Sequence, residues 1–148
     1  MGTRSTFRVI SKSTYEGKVY MQKHMLMYVQ MDGYPDGHPL DTAKWLASGK
    51  VVNGISMAET ALVFNGTGCL AAQLVARYKD GAGRAYLEPL SYRGKSGENY
   101  LYDIIVTEDE GQQSIEFVAY GNYGKRPKEI FRGTPAEYVA NIDVIKEK

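Results

Sequence analysis

The sequence predicts an α+β fold in a single domain spanning residues 1–148, and three observations support this class. Strand-like segments come in consecutive groups and do not alternate regularly with helices. The longest amphipathic helix pattern falls in the middle of the chain. A chain of 148 residues is also long enough to bury one substantial core. We therefore expect an antiparallel sheet of about five or six strands, covered by a central helix with short flanking helices.

Two strand-like segments open the chain. Residues 5–11 have the pattern of a strand, residues 13–17 that of a turn, and residues 18–30 that of a longer strand. Side chains alternate between the two faces of a strand, so residues of one parity share a face. In the longer strand this rule predicts that five apolar residues face the core: Val19, Met21, Met25, Met27 and Val29.

The middle of the chain predicts helices. Residues 40–48 form a short helix candidate, and the capping-box pattern of residues 56–59 predicts another helix to about Phe64. The segment Asn65-Gly66-Thr67-Gly68 then interrupts the helical pattern. The central helix should follow over residues 68–79, where apolar side chains recur at helical spacing.

Strands return in the last third of the chain. We expect a short strand, a hairpin, one further strand and a final helix that begins at Thr134-Pro135-Ala136-Glu137 and ends near Asn141. The predicted strands cover residues 84–89, 99–107, 113–120 and 128–132.

Bulk composition excludes several function classes. The formal net charge is +1, which argues against strong nucleic-acid binding, since that needs many cations facing phosphate. Cys69 is the only cysteine, so no internal disulfide is possible, and we expect it to be a small core residue in a reducing, cytoplasmic setting. No signal-peptide pattern or membrane-spanning apolar stretch is seen, so we expect no membrane partner.

The loop from Met31 to Pro39 is the strongest candidate for a binding surface. Its nine residues include two glycines, two prolines, two aspartates, a tyrosine and a histidine. Asp32 and Asp36 suit either turn chemistry or a carboxylate pair for acid–base work or for a hard cation. His38 could hydrogen-bond a ligand or titrate near neutral pH. Two histidines and one cysteine are too few for a usual zinc site, so we expect no metal and no cofactor.

A second candidate site is the glycine-containing segment before the central helix. Amides at a helix N-terminus point outward and favour negative charge, so Gly66 and Gly68 would let a phosphate approach. The alternative is a simple helix break. Aromatic and cationic residues also alternate in two glycine-rich loops, around Tyr92-Arg93 and Tyr120–Arg126, which suits nucleotide binding or merely solvated loops.

Several motifs together carry a family resemblance. They are Gly2-Thr3-Arg4-Ser5, Asp32-Gly33-Tyr34-Pro35, Val52-Asn53-Gly54 and Gly68-Cys69-Leu70-Ala71-Ala72-Gln73-Leu74. In these the chain resembles a family of small proteins encoded by phages, prophages and bacteria, closely over residues 1–78 and loosely beyond. The resemblance transfers no activity or catalytic residue. It implies a viral or mobile-element source, hence the host cytoplasm, and small phage proteins without enzyme motifs are often inhibitors of host defence.

These observations lead to one main hypothesis, a non-enzymatic homo-oligomer that sequesters a cyclic nucleotide or cyclic ADP-ribose immune signal. Amides would bind phosphate, arginines would supply charge, tyrosines would stack on a base, and carboxylates would take hydroxyls or amines. The ligand-binding candidates are Arg4, Asp32, Gly33, Tyr34, Asp36, His38, Asn65, Gly66, Gly68, Tyr92, Arg93 and Tyr123. Two alternatives stay open: a protein-binding inhibitor of a host defence protein, and a small nucleotide hydrolase using Asp32, Asp36 and His38.

Overall fold

The computed structural model describes residues 2–54, 62–92, 97–109, 112–123 and 126–148. It has a mixed α+β fold, as predicted. The elements in chain order are β1 (Ser5–Tyr15), β2 (Lys18–Val29), α1 (His38–Ala47), β3 (Lys50–Val52), β4 (Val63–Asn65), α2 (Gly66–Tyr78), β5 (Ala85–Leu87), β6 (Tyr100–Asp109), β7 (Gln112–Gly121), β8 (Lys128–Gly133), α3 (Pro135–Ala140) and α4 (Ile142–Ile145).

Six strands form one sheet in the order β5-β2-β1-β6-β7-β8. Neighbouring strands run antiparallel except at the centre, where β1 and β6 are parallel. The expectation of a fully antiparallel sheet is therefore corrected at this one pair. β1 and β6 are far apart in sequence, and a long connection that carries helices can return the chain in the same direction. A separate parallel pair joins β3 and β4.

The first hairpin is longer and its turn is tighter than the sequence pattern predicts. Tyr15 pairs with Lys18, so only Glu16 and Gly17 form the turn. Both have positive φ, 49° and 76°, as a two-residue type I′ turn requires. β1 therefore continues four residues past its predicted end at residue 11.

A bulge changes which side chains of β2 face the core. Val9 pairs with Met25 and Ile10 with Lys23, so His24 is an extra residue without an opposite partner. One extra residue inverts the alternation of side chains for the rest of the strand. Val19 and Met21 are consequently 56% and 55% exposed, and the prediction that they face the core is wrong.

The helices pack on one face of the sheet, and the main core lies between them. It combines buried side chains from the central strands with Leu46 of α1, Leu70 and Leu74 of α2, and Tyr138 of α3. The opposite face carries a small cluster of Ile10, Ile105 and Val118. Beside that cluster, Arg8 and Asp103 form a two-pronged ion pair at 2.6 Å per contact.

The predicted helices are confirmed at α1, α2 and α3 and differ at one place. Residues 63–65 are strand β4, so the helix expected to reach Phe64 is wrong at its end. The capping-box residues 56–59 lie outside the described residues. At α3 the predicted capping box is present, because Thr134 Oγ1 accepts from the Glu137 amide while Glu137 accepts from the Thr134 amide. Over the described ranges, every helix is too short or too polar to cross a bilayer.

Candidate functional site

The loop of residues 31–38 is held in place by three buried tyrosines. One tyrosine comes from β6, one from α3 and one from α2, and each donates its hydroxyl hydrogen to a carbonyl of the loop. The pairs are Tyr102 to Gly33 O at 2.7 Å, Tyr138 to Pro35 O at 2.6 Å, and Tyr78 to His38 O at 3.3 Å. Burial raises the pKa of all three phenols, so they remain protonated donors.

The two glycines of this loop are required by close contacts. A Cβ at Gly37 would lie 2.3 Å from the backbone oxygen of Asp32, and a Cβ at Gly33 would lie 2.6 Å from the Ser5 side chain. The Asp32 oxygen accepts from the His38 amide at 2.9 Å, which closes the loop. The backbone of residues 31–38 is therefore fixed by the fold, and we call this segment the loop wall.

A polar cavity of about 280 Å³ lies on one side of this wall, and we call it the Tyr34 cavity. Its lining contains two lysines, two tyrosines and two asparagines but, among the described residues, neither a carboxylate side chain nor a histidine. The lining residues are Thr3, Tyr34, Asn99, Tyr100, Gly121, Asn122, Lys128, Ile130 and Lys148. The cavity thus offers positive charge, flat aromatic faces and amide groups together.

The start of the chain joins the loop to this cavity. The Gly33 amide donates to Thr3 O, and the amides of Asn99 and Tyr100 donate to Arg4 O. The Tyr123 amide in turn donates to Asn99 O. Four predicted residues, Arg4, Gly33, Tyr34 and Tyr123, are therefore brought together around one cavity. Only Tyr34 lines it, since the Arg4 guanidinium lies beside Gly97, 3.4 Å from where a Cβ would stand.

A second cavity, of about 230 Å³, lies on the other side of the wall, and we call it the His38 cleft. Its lining residues are His38, Asp41, Thr42, Arg77, Tyr78 and Arg84. The His38 Nε2 lies 3.5 Å from Arg84 Nη2 and 3.8 Å from Asp32 Oδ2. Burial, helped by Arg84, lowers the pKa of His38, so the ring is neutral at neutral pH.

The two aspartates of the loop have different surroundings. Asp32 approaches His38 and accepts a 3.4 Å hydrogen bond from the Tyr34 hydroxyl. Asp36 is exposed and has no hydrogen bond or ion pair to the rest of the described chain. The turn interpretation of these aspartates agrees with this geometry, since Asp32 adopts the left-handed conformation with φ 58°.

The second glycine segment lies far from this region. α2 is 13 residues long, so its two ends are about 18 Å apart. Tyr78, at one end, contacts the loop of residues 31–38, whereas Asn65, Gly66 and Gly68 are at the other. There Glu108 Oε1 accepts from the Thr67 amide at 3.1 Å and also from the Thr67 hydroxyl. The protein's own carboxylate is therefore bound to Thr67, between the two glycines whose amides were predicted to bind a phosphate.

The other sequence candidates lie apart from both cavities. The Tyr92 hydroxyl donates to Glu98, and Asn65 Oδ1 accepts from the Gly54 amide at 2.7 Å. Arg93 lies outside the described residues. Cys69 is exposed, and its thiol donates to Gln73 Oε1 at 3.1 Å, so the expectation of a core cysteine is wrong. The first turn of α2 faces solvent at this position.

Sequence reasoning missed the cations of both cavities. Lys128 and Lys148 lie about 20 residues apart at the end of the chain, and Arg77 and Arg84 flank the exit from α2. No motif marks them. The one available signal for the two arginines was their placement on either side of Gly81-Ala82-Gly83. A tight turn at these residues returns the chain beside α2 and so brings Arg77 and Arg84 close together.

No group of three or more His, Cys, Asp and Glu side chains converges in a geometry suited to a metal within the part of the chain that the structure describes. Comparison with protein-family models, with curated proteins and with solved structures found no match to this chain. The two cavities and the loop between them are therefore the features of the described chain that bear on function.

Proposed function

We propose that this protein binds a small phosphorylated nucleotide in the Tyr34 cavity and holds it without chemical change. The observation that carries the proposal is the pairing of Lys128 and Lys148 with Tyr34 and Tyr100 in one polar cavity. Lysine ammonium groups act as point charges for phosphate. Tyrosine faces stack on bases, and Tyr34 is 41% exposed, so its ring is available to a ligand.

Asn99 and Asn122 complete the recognition set. A carboxamide presents both a donor and an acceptor, which suits the edge of a base or a ribose hydroxyl. Asn122 adopts a left-handed backbone conformation, φ 52°, and strain of this kind concentrates at ligand sites. The cavity of about 280 Å³ lies at the lower end of ligand sites, about 300–1,000 Å³, so we expect it to take one nucleotide unit.

The composition of the lining favours binding over hydrolysis. General acid–base or nucleophilic catalysis needs a carboxylate, histidine, thiol or activated hydroxyl near the bond to be broken. The described lining of the Tyr34 cavity has no carboxylate side chain, histidine or cysteine. A protein of this kind would serve as a sponge for a cyclic nucleotide or cyclic ADP-ribose signal, the anti-defence role that the family resemblance implies.

Calorimetry with cyclic mononucleotides, cyclic dinucleotides and cyclic ADP-ribose isomers tests the proposal. We expect at least one Kd below about 10 μM, roughly −7 kcal/mol. Lys128→Gln and Lys148→Gln should each weaken binding about tenfold or more, as charge-assisted hydrogen bonds are lost. Lys18→Gln, on the first hairpin and outside the cavity, is the matched control and should change nothing.

The same samples separate a sponge from an enzyme. Ligand released by heat denaturation should have the mass and chromatographic behaviour of the ligand added. A new product that accumulates with time would favour the hydrolase. Absence of binding by every nucleotide in the panel would end the nucleotide proposal.

A second candidate function rests on the tip of the first hairpin. Four large side chains there are about half exposed or more: Tyr15, Val19, Tyr20 and Met21. β5 pairs only with Met27–Val29, so within the described chain the outer edge of β2 from Lys18 to Met25 has no strand beside it. Exposed apolar side chains on an open strand edge suit a protein partner. A host complex that V19K/M21K abolishes, with nucleotide binding unchanged, would support this inhibitor function.

A further inference from the structure

The His38 cleft has the groups needed for a ligand of its own. It lies on the opposite side of the loop wall from the Tyr34 cavity and shares no lining residue with it. Its cations are Arg77, in the last turn of α2, and Arg84, in the turn before β5. Both guanidinium groups act electrostatically on the hydroxyl of Tyr78, which places them around the same point of the cleft.

Arg84 is held in an unusual conformation. Its φ is +70°, a left-handed value that is unfavourable for a residue with a Cβ. Two hydrogen bonds to Gln30 hold it there: the Arg84 amide donates to Gln30 Oε1 at 3.1 Å, and Arg84 O accepts from the Gln30 amide at 3.0 Å. In this backbone conformation the Arg84 guanidinium lies next to His38, with 3.5 Å between Nη2 and the histidine Nε2. Glycine would suit this backbone better, so the side chain itself has a use.

Arg77 is also positioned without a carboxylate partner. Its guanidinium carbon lies 5.3 Å from the centre of the Trp45 ring, a cation–π arrangement that fixes the side chain beside α1. Across the described ranges of the chain, the ion pairs of arginine involve Arg8 and Arg132, and none involves Arg77 or Arg84. Two guanidinium groups therefore have hydrogen-bonding capacity left for a ligand.

The acidic residues of the cleft define the rest of that ligand. Asp41 lines the cavity from α1, and Asp32 reaches His38 from the loop, 3.8 Å from its Nε2. Two carboxylates beside two guanidinium groups would oppose a bare phosphate or sulfate. They match a ligand that combines an anionic group with hydroxyls, because carboxylates accept hydrogen bonds from vicinal hydroxyls while arginine forks bind phosphate.

We infer that the His38 cleft is a second binding site, whose ligand is a sugar phosphate held by its phosphate at Arg77 and Arg84 and by its hydroxyls at Asp41, with Asp32 outside the lining and next to His38. The cavity of about 230 Å³ has room for roughly eight water molecules at liquid density, enough for a phosphate on a single sugar. His38, between the two groups of opposite charge, completes the site as a neutral hydrogen-bonding ring.

The two histidines of the chain make a direct test possible. Ribose 5-phosphate, inorganic phosphate and ribose are each titrated into the protein at neutral pH and constant ionic strength, while the imidazole resonances are followed by NMR. His38 should shift and saturate, most tightly with ribose 5-phosphate. His24, on the first hairpin and bonded to Ser11 at 3.0 Å, is the internal control and should not move.

Variants identify which group binds which part of the ligand. Arg84→Gln and Arg77→Gln should each raise the Kd of ribose 5-phosphate about tenfold or more, and Arg84→Lys less, since it keeps the charge and loses the fork. Arg126→Gln removes the same charge elsewhere and should change nothing. Asp41→Asn should weaken ribose 5-phosphate yet strengthen inorganic phosphate, because it replaces a charged hydroxyl acceptor by a weaker neutral one and removes a repulsive charge.

Two results would overturn this inference. One is a His38 signal that does not saturate with ribose 5-phosphate up to about 10 mM, a Kd too weak for a specific site. The other is a Kd that Arg77→Gln and Arg84→Gln leave unchanged while both variants keep the wild-type melting temperature. Lys128→Gln and Lys148→Gln separate the two sites, since each should weaken the nucleotide binding of the Tyr34 cavity about tenfold or more and leave the His38 titration intact.

Discussion

Two glycine-containing segments lie near opposite ends of α2 and differ in how the rest of the fold contacts them. Residues 31–38 form a wall whose backbone carbonyls are held by three tyrosine hydroxyls, while cavities remain open on both sides. Residues 65–68 begin a helix where Glu108 already accepts hydrogen bonds from the amide and the hydroxyl of Thr67. Both segments predict ligand binding on composition alone. This difference shows that a loop offers room for a ligand only where the rest of the fold holds its backbone and an open cavity remains beside it.

The largest expected effect comes from the glycines themselves. Gly37→Ala places a Cβ 2.3 Å from the backbone oxygen of Asp32, so the loop must shift, and we expect a loss of about 3 kcal/mol in the free energy of unfolding. Gly68→Ala is the matched control, because its Cβ meets nothing within 4 Å and alanine favours helix by about 0.5–1 kcal/mol. Urea unfolding measures both. Equal effects of the two substitutions would remove the distinction between the segments.

The strands and helices could largely be predicted because their signals are local. Alternation of apolar residues identified β1 and β2, and the capping box identified α3. The bulge at His24 could not be predicted, since alternation continues through it in the sequence although the faces exchange. The strand was therefore predicted correctly, but the wrong face was predicted for Val19 and Met21, which are exposed. Register depends on the partner strand, which one strand's sequence does not contain.

Loss of a single tyrosine hydroxyl should have the next largest effect. Tyr138→Phe leaves the buried carbonyl of Pro35 without its 2.6 Å donor, and an unsatisfied buried acceptor costs about 1–2 kcal/mol. Tyr34→Phe removes an exposed hydroxyl with only a 3.4 Å contact to Asp32, so stability should stay within about 0.5 kcal/mol of wild type. Thermal unfolding of the two variants compares them directly. A larger loss for Tyr34→Phe would contradict the assignment of the wall to the buried phenols.

The loop of the candidate site could be predicted from the sequence, but the cations beside it could not. The loop stood out because glycine, proline and aspartate cannot continue a strand, and the tyrosines stood out by number. Tyr34, Tyr92 and Tyr123 were the tyrosines expected at the site, whereas the donor roles of Tyr78, Tyr102 and Tyr138 toward the loop were not foreseen. The cations came from α2, β8 and the end of the chain, and only the tertiary arrangement collects such distant residues. Composition thus predicted the wall and missed the charges beside it.

The smallest expected effect concerns the other segment. Glu108→Ala removes the acceptor from the Thr67 amide and hydroxyl, and loss of such a cap costs about 1 kcal/mol. Glu147→Ala, near the end of the chain and exposed, is the control and should have no effect on stability. The more informative measurement is a phosphate titration followed at the amides of Gly66 and Thr67. Neither amide should respond in the wild type, because the Glu108 carboxylate bonded to the Thr67 amide already places negative charge at this helix start, and both should respond in Glu108→Ala. A response of equal size in both proteins would mean that Glu108 leaves room for an anion. The segment of residues 65–68 would then remain a candidate ligand site, as the loop of residues 31–38 is.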